Sequence, residues 1–295
     1  MISRIFSKSL KETVYESGSS ENRALLKISS IIPFFTIFFN FFGVLINIGH
    51  FFSSKYYSVY KTNFVNPKTF AVDIDGTITE NGGGRIHLEA LAALRHVKNM
   101  GHNVIFVTGR SSIEGFLLSV FGGTTKIAVG ENGGCITMGN NEHVLLGNIG
   151  QCKEAFELIQ NKIDNVIEKP VFPRMTEVVL ERTFDLDLAK KLVLKENLDV
   201  SLSDSQYAFH INSGGIDKGT GFQEIMKKLS ISSDDVIAIG DSATDIPLFK
   251  IAKTSIALGN SFDDVKSQAT MTVTAKAGDG VIEALDKLAP QISGV

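Results

Sequence analysis

The stretch T-F-A-V-D-I-D-G-T-I-T, Thr69 to Thr79, decides the fold of this 295-residue chain. Phe70 to Val72 is apolar and runs straight into two carboxylates, Asp73 and Asp75. A short apolar run of this kind reads as a buried parallel strand, and Gly76 as the turn that ends it. Asp73 and Asp75 then stand at the carboxyl end of the strand, where open α/β sheets bind their ligands. Alternate residues of a strand face the same way, so both carboxylates can address one site. At such close range they repel, and a metal ion, a lysine or a shared proton has to offset the repulsion. One can then stay ionised while the other holds a proton near neutral pH, the division that a nucleophile and a general acid need. By itself D-x-D-G is equally well a polar strand exit, because Asp and Gly are common in turns. The weight comes from the segments that follow.

Composition bounds the class. Hydrophobic and charged fractions of 43% and 21% are those of a globular protein, and the length suffices for one large or two ordinary domains. A net charge of −3 without any basic run gives no reason to expect a nucleic-acid partner. Cys135 and Cys152 are the only cysteines, which leaves neither a disulfide framework nor a zinc cluster. The six histidines form no H-E-x-x-H motif and no close pair. Soft-metal chemistry therefore has no ligand set, whereas carboxylates favour Mg²⁺.

From Lys68 onward strand-like and helix-like segments alternate, as a parallel sheet requires. A helix is expected over Ile86–Met100, with Ala90, Leu91, Leu94 and Val97 on its apolar face. A strand, Val104–Val107, leads into Thr108-Gly109-Arg110. Ser111 or Ser112 caps a helix running through Val120. Lys126–Val129 is a further strand, ended by Gly130-Glu131-Asn132-Gly133-Gly134. Then the rhythm changes. Cys135–Met138 and His143–Leu146 read as a β-hairpin. A helix over Cys152–Ile167, a strand at Glu177–Glu181, a helix at Leu186–Leu198 and a strand-like Tyr207–Ile211 form two α-β units of antiparallel character. Inside a parallel pattern they read as an inserted small α+β cap over residues 149–211. The parallel rhythm resumes with a helix from Lys218 to Leu229 and a strand, Val236–Ile239, before Gly240-Asp241-Ser242. A short helix at Pro247–Ala252, strands at Ser255–Leu258 and Met271–Thr274, and a helix at Val281–Leu288 complete it. The expected fold class is α/β: a Rossmann-like parallel sheet core, residues 67–148 and 212–295, carrying the cap.

Four strand ends now bear polar groups: Asp73 with Asp75, Thr108, Asn132, and Asp241 with Asp245, while Lys218 opens a helix. In a parallel sheet all four ends lie on one edge. Together they supply what phosphoryl transfer needs: a carboxylate nucleophile, a second carboxylate as acid and base, metal-binding carboxylates, and a hydroxyl and a cation for phosphate oxygens. Each has a plainer reading alone. Thr108-Gly109 is also a strand exit, Lys218 a solvated lysine at a helix start, and Asp241 a helix cap.

In order and wording, D-I-D-G-T at Asp73–Thr77, V-T-G-R at Val107–Arg110, Lys218 in G-I-D-K-G, and G-D-S-A-T-D at Gly240–Asp245 resemble the haloacid dehalogenase superfamily of phosphatases. The resemblance spans about Lys68 to Pro290. It implies that Asp73 attacks phosphorus to form an aspartyl-phosphate, and that Asp75 protonates the leaving oxygen and then activates water. It further implies Mg²⁺ held by Asp73, the backbone carbonyl of Asp75 and Asp241, with Asp245 in support, and phosphoryl oxygens bound by Thr108, Gly109 and Lys218. Thr244 departs from the pattern, since many relatives have Asn there. The cap's place between the second motif and the lysine matches the type II subfamily with an α/β cap. Its small size and E-N-G-G at Glu131–Gly134 resemble the archaeal-type phosphoglycolate phosphatases. The implied activity is Mg²⁺-dependent hydrolysis of 2-phosphoglycolate, with Arg182 and His210 as cap candidates to meet the substrate carboxylate. A sugar-phosphate phosphatase of the sucrose-phosphate-phosphatase type, a phosphomutase and a non-enzymatic binding module on the same fold are the alternatives.

Residues 1–66 differ in composition. They contain no Asp and one Ala, Ala24, and hold the uncharged stretch Ile31–Phe52 with eight Phe. Its length suits a transmembrane segment, though Pro33, Asn40, Asn47 and His50 interrupt it. Arg23 and Lys27 before it and Lys55 and Lys61 after it give no orientation. Three readings stay open: a membrane anchor, a poorly structured extension, or a start-site artefact encoded by AT-rich upstream DNA. The catalytic domain is expected in the cytoplasm, soluble or anchored through 31–52. Nothing in the sequence specifies an oligomer.

Overall fold

The computed structural model describes residues 66–80 and 84–292. The apolar stretch 31–52, and the anchor, extension and start-site readings attached to it, lie outside the described residues. Among the described residues no helix is long and apolar enough to cross a membrane.

In chain order the first half comprises β1 (Thr69–Val72), a short hairpin of β2 (Thr79–Glu80) and β3 (Arg85–Ile86), α1 (Leu88–Asn99), β4 (Asn103–Val107), α2 (Ser112–Gly122) and β5 (Ala128–Gly130). A second hairpin, β6 (Cys135–Gly139) and β7 (Glu142–Leu145), precedes α3 (Ile149–Lys162), β8 (Val178–Leu180), α4 (Leu186–Lys195), β9 (Val200–Asp204) and β10 (Phe209–Ser213). The remainder is α5 (Lys218–Leu229), β11 (Val236–Gly240), α6 (Ile246–Ile251), β12 (Thr254–Ala257), α7 (Asp263–Lys266), β13 (Met271–Thr272) and α8 (Ala277–Ile292).

Eight strands form one sheet in the order β13-β12-β11-β1-β4-β5-β6-β7. From β13 to β5 the pairing is parallel, and β6 and β7 join antiparallel at one edge. Burial of both faces explains the unbroken apolar runs. Phe70, Val72, Val104, Phe106, Ile237 and Ile239 pack on one face with Leu94 of α1 and Leu288 of α8. Their neighbours Ala71, Ile105, Val107, Val236 and Ala238 pack on the other with Phe222 of α5 and Phe249 of α6. The chain leaves β1 toward β4 and later returns to lay β11 on its other side. That reversal puts the crevice at the carboxyl end of β1, the usual ligand position in such sheets.

Residues between the hairpin and α5 build a second, three-stranded antiparallel sheet, β8-β10-β9, backed by α3 and α4. Its apolar core draws on Cys152, Ile159, Leu180, Val193, Leu202 and Ile211. This is the inserted cap of the α/β fold. Strand β9 was not expected: V-S-L-S-D buries only Leu202, at the edge of the small sheet. Helix α3 begins earlier than read, because the Asn148 side chain caps it by accepting from the Gly150 amide, and it stops at Lys162, where Ile163 turns to extended backbone. Strand β10 starts at Phe209 rather than Tyr207, which is exposed after the positive-φ turn residue Gln206.

Candidate active site

After β1 the backbone turns tightly, with the Ile74 carbonyl accepting from the amides of Thr77, Ile78 and Thr79. Gly76 makes the turn at φ 79°, and a side chain there would collide with the Asp241 carboxylate. Glycine thus lets the β1 loop and the β11 loop touch. Asp73, 3% exposed, is fixed by its amide bond to the Ile239 carbonyl at 2.9 Å. Thr77 Oγ1 donates to Asp241 Oδ1 at 2.9 Å and approaches Asp73 Oδ2 at 3.4 Å.

Lys218 is the first residue of α5. Asp217 caps this helix by accepting from the Thr220 amide. Gly133, at φ 104°, lies so close to the Asp217 carbonyl that no side chain fits, so the E-N-G-G loop seats the start of α5. Lys218 Nζ then reaches Asp73 Oδ1 at 2.8 Å and Asp245 Oδ1 at 2.7 Å. Asp245 is fully buried, and its Oδ2 accepts from the Asp241 and Ser242 amides. Asn260, after β12, donates to Asp241 Oδ2 and to the Gly76 carbonyl, each at 2.9 Å.

Two carboxylates, Asp73 and Asp245, therefore share one ammonium, and Asp241 lies beside them without a cation of its own among the described residues. Asp73, Asp241 and Asp245 each offer an oxygen, all within 4.8 Å of one another. Burial first, then Asp245, push the Asp73 carboxyl well above its usual range despite Lys218. Burial and Asp245 likewise push Asp241 up to about 7. Burial alone would lower the Lys218 pKa, but Asp245 and Asp73 outweigh it and the net shift is upward. A cluster of hard oxygen donors short of positive charge fits a divalent cation.

Asp75 is placed differently. Its carboxylate accepts a two-pronged contact from Arg110, Nε at 2.7 Å and Nη2 at 2.8 Å, at the edge of the crevice. Arg110 also reaches Glu114, which completes a capping box with Ser111 at the start of α2. Asp75 offers no side-chain oxygen to the acidic cluster. Thr108 is fully buried, and its hydroxyl accepts from the Arg110 amide at 3.0 Å; Gly109, beside it, lines the crevice.

The crevice is an open cleft of about 1040 Å³ between the sheet edge and the cap. Asp73, Asp75, Gly109, Lys218 and Asp241 line it from the core. His210, Arg174, Phe172 and Tyr207 line it from the cap. Arg182 does not: it pairs with Asp204 at 2.8 Å on the cap surface. His210 is held by Glu177 Oε2 at 3.1 Å and Ser205 at 2.9 Å. Sequence reading missed Arg174, Glu177 and the joint between core and cap. There Glu131 Oε2 accepts from the Met175 and Thr176 amides and the Thr176 hydroxyl. In the sequence the joint is marked only by E-N-G-G at Glu131–Gly134; in the structure Glu131 and Asn132 both adopt positive φ, and such strain gathers at functional sites.

A parallel sheet, a cap over its carboxyl edge, and a buried Asp–Lys–Asp cluster define a phosphohydrolase with a capped, Rossmann-like α/β core. The chain belongs to the haloacid dehalogenase-like hydrolases, whose family profile matches residues 70–168 and 179–285. A phosphoglycolate phosphatase of Nitrosopumilus maritimus is 75% identical over 228 residues, covering 77% of this chain and 99% of the relative. A phosphoglycolate phosphatase of Archaeoglobus fulgidus is 34% identical over 224 residues, covering 75% of this chain and 97% of the relative. Among solved structures, a Thermoplasma acidophilum protein superposes with a TM-score of 0.67 at 20% identity, over 75% of this chain and 97% of that one. A subclass IIB sugar phosphatase superposes with a TM-score of 0.61 at 18% identity, over 75% of this chain and 99% of its own. These two likenesses concern the fold.

Proposed function

We propose that this protein hydrolyses 2-phosphoglycolate to glycolate and phosphate, with Mg²⁺ as its cation. The carrying observation is the buried Asp73, gripped by Lys218 in a cluster short of positive charge. The substrate comes from the relatives, above all the one at 75% identity. Residues 67–148 and 214–295 act as the core and 149–213 as the cap, whose strand β10 carries it two residues past the 211 expected from the sequence.

In this reading an Asp73 oxygen attacks phosphorus, and the bond from phosphorus to the glycolate oxygen breaks. Asp75, released from Arg110 and carrying a proton taken from solvent as substrate enters, gives that proton to the glycolate oxygen. With the aspartyl-phosphate formed, Asp75 takes a proton from water, which attacks phosphorus and frees the Asp73 carboxylate. Lys218 and Gly109 hold the phosphoryl oxygens, joined by Thr108 once its hydroxyl turns from the Arg110 amide. Asp73, Asp241 and Asp245, with the Asp75 carbonyl, would hold Mg²⁺, which when bound offsets the charge of the phosphate and the carboxylates. The cap excludes water until product leaves. Two free buried thiols, Cys135 and Cys152, suit a reducing compartment and support a cytoplasmic catalytic domain.

Phosphate release across small phosphomonoesters tests the reading. We expect kcat/KM for 2-phosphoglycolate to exceed that for glucose 6-phosphate and mannose 6-phosphate by about tenfold or more, roughly 1.4 kcal/mol of differential transition-state binding. Equal or reversed preference moves the protein to the sugar-phosphate branch. Isomerised sugar phosphate without free phosphate marks a mutase.

A further inference from the structure

We infer that Arg174 is the residue that selects the substrate by its carboxylate, which makes short phosphorylated hydroxy acids the substrate class. The inference rests on the phosphatase reading above and deepens it. A single carbon separates the carboxylate of 2-phosphoglycolate from its phosphate-bearing oxygen. With the phosphate at Asp73, the carboxylate must come to rest against the cleft wall, out of water once the cap covers it. A desolvated carboxylate there needs a cation or a ring of donors.

Most cations near the cleft are committed. Lys218 bridges Asp73 and Asp245. Arg110 is engaged by Asp75 and Glu114, and Glu114 still holds it when Asp75 turns to the leaving oxygen. Lys276 is exposed at the rim, and Arg182 points away into its pair with Asp204. Arg174 differs. Its side chain is only 9% exposed, yet it lines the cleft. Nη1 donates to the Gly109 carbonyl at 3.1 Å, which sets the guanidinium beside the loop that faces the phosphate position. Nε is buried without a hydrogen-bond partner. Glu177 Oε1 lies 3.4 Å from Nη1, but that oxygen too has no hydrogen bond. The other oxygen of Glu177 is taken by Asn132, His210 and Asn212.

A planar guanidinium whose Nε is unsatisfied suits a carboxylate. Pro170 and Pro173 stiffen the strap that presents it. That strap falls in 169–178, the gap between the two segments matched by the family profile.

Arg174 could instead be only a pin between cap and core, through Gly109 and Glu177. Two substrates separate these roles: 2-phosphoglycolate, and ethyl phosphate, which lacks the carboxylate. In Arg174→Met we expect kcat/KM for 2-phosphoglycolate to fall roughly 30-fold or more, mainly through KM, and ethyl phosphate to change by less than about threefold. Equal losses on both substrates would make Arg174 a pin and overturn the proposal, as would no loss on either. If Arg174→Met does not fold, Arg174→Lys keeps the charge without the fork. It should raise KM for 2-phosphoglycolate several-fold and leave ethyl phosphate alone, and a common shift on both overturns the proposal. Wild-type protein that turns over both substrates equally removes the substrate reading and the role of Arg174 together. A wild-type preference that survives in Arg174→Met removes Arg174 alone.

Discussion

Lys218 Nζ lies 2.8 Å from Asp73 Oδ1, across 145 positions of sequence, with both side chains almost sealed from solvent. The same ammonium holds Asp245 at 2.7 Å. Removing it leaves two buried carboxylates without a counter-charge, and breaking a buried pair in this way costs about 3–5 kcal/mol. Lys218→Met should therefore lose both turnover and stability. Because a divalent cation opposes the same charges, added Mg²⁺ should recover part of the melting temperature without restoring turnover. Thermal melts with Mg²⁺ and with EDTA check this. A variant with wild-type melting and turnover would refute the role of Lys218.

Asp73 and Asp75 should separate on substitution, because they sit in different surroundings. Asp73→Asn places a poor nucleophile at the buried position and should retain less than about one-hundredth of the wild-type rate. Asp75 stands at the cleft edge against Arg110, outside the acidic cluster. Asp75→Asn should keep the fold and the Mg²⁺ requirement while losing roughly 10²–10⁴ in rate, the usual scale for a general acid–base. Normal kcat in Asp75→Asn would take Asp75 out of the mechanism.

Metal dependence should follow Asp241. EDTA should abolish activity, and Asp241→Ala should raise the Mg²⁺ requirement sharply. Without a cation, burial and Asp245 push the Asp241 carboxyl up to about 7. A ligand must lose its proton to bind, so the Mg²⁺ needed for half-maximal rate should rise as pH falls from about 8 to about 6. Magnesium titrations at several pH values read this directly. A requirement that stays flat with pH, or is unchanged in Asp241→Ala, would place the metal elsewhere.

The contrast between these groups and Arg174 shows what a sequence exposes. Strands β1, β4 and β11 are legible because burial on both faces demands unbroken apolar residues, and each ends at once in Asp, Thr or Gly. Asp73, Asp241 and Lys218 are legible because they adjoin those ends or open a helix. Arg174 follows no period. It lies in P-V-F-P-R-M between elements, and its contact to Gly109 spans 65 positions. Only the docking of cap on core creates that contact. The pairing of Asp75 with Arg110 depends likewise on two loops meeting. Arg182 was the more conspicuous cap arginine in the sequence, yet tertiary packing turns it toward Asp204. Strand β9 escaped for a different reason: an edge strand that buries one leucine carries little pattern.

Glu131 offers a test of the joint between core and cap that leaves the catalytic groups untouched. Its side chain is fully buried after β5, and Oε2 accepts from the Met175 amide at 2.9 Å and from the Thr176 amide and hydroxyl at 2.7 Å. Its other oxygen is buried without a partner. Burial raises its pKa above the ordinary value of 4.5, Glu177 adds to the rise, and the bonds from Thr176 oppose it without prevailing. Between that value and the raised one, the folded state keeps a proton that the unfolded chain has lost. Stability contributed by this group should therefore decline as pH rises from about 4.5 and level off above the folded pKa. Glu131→Gln keeps a carbonyl for the three donors and removes the titration. Urea melts of the two proteins between about pH 5 and about pH 8 should show the wild type losing stability relative to Glu131→Gln as pH rises. A difference that stays constant across that range, or grows in favour of the wild type, would mean that the buried carboxylate is not destabilised by its surroundings.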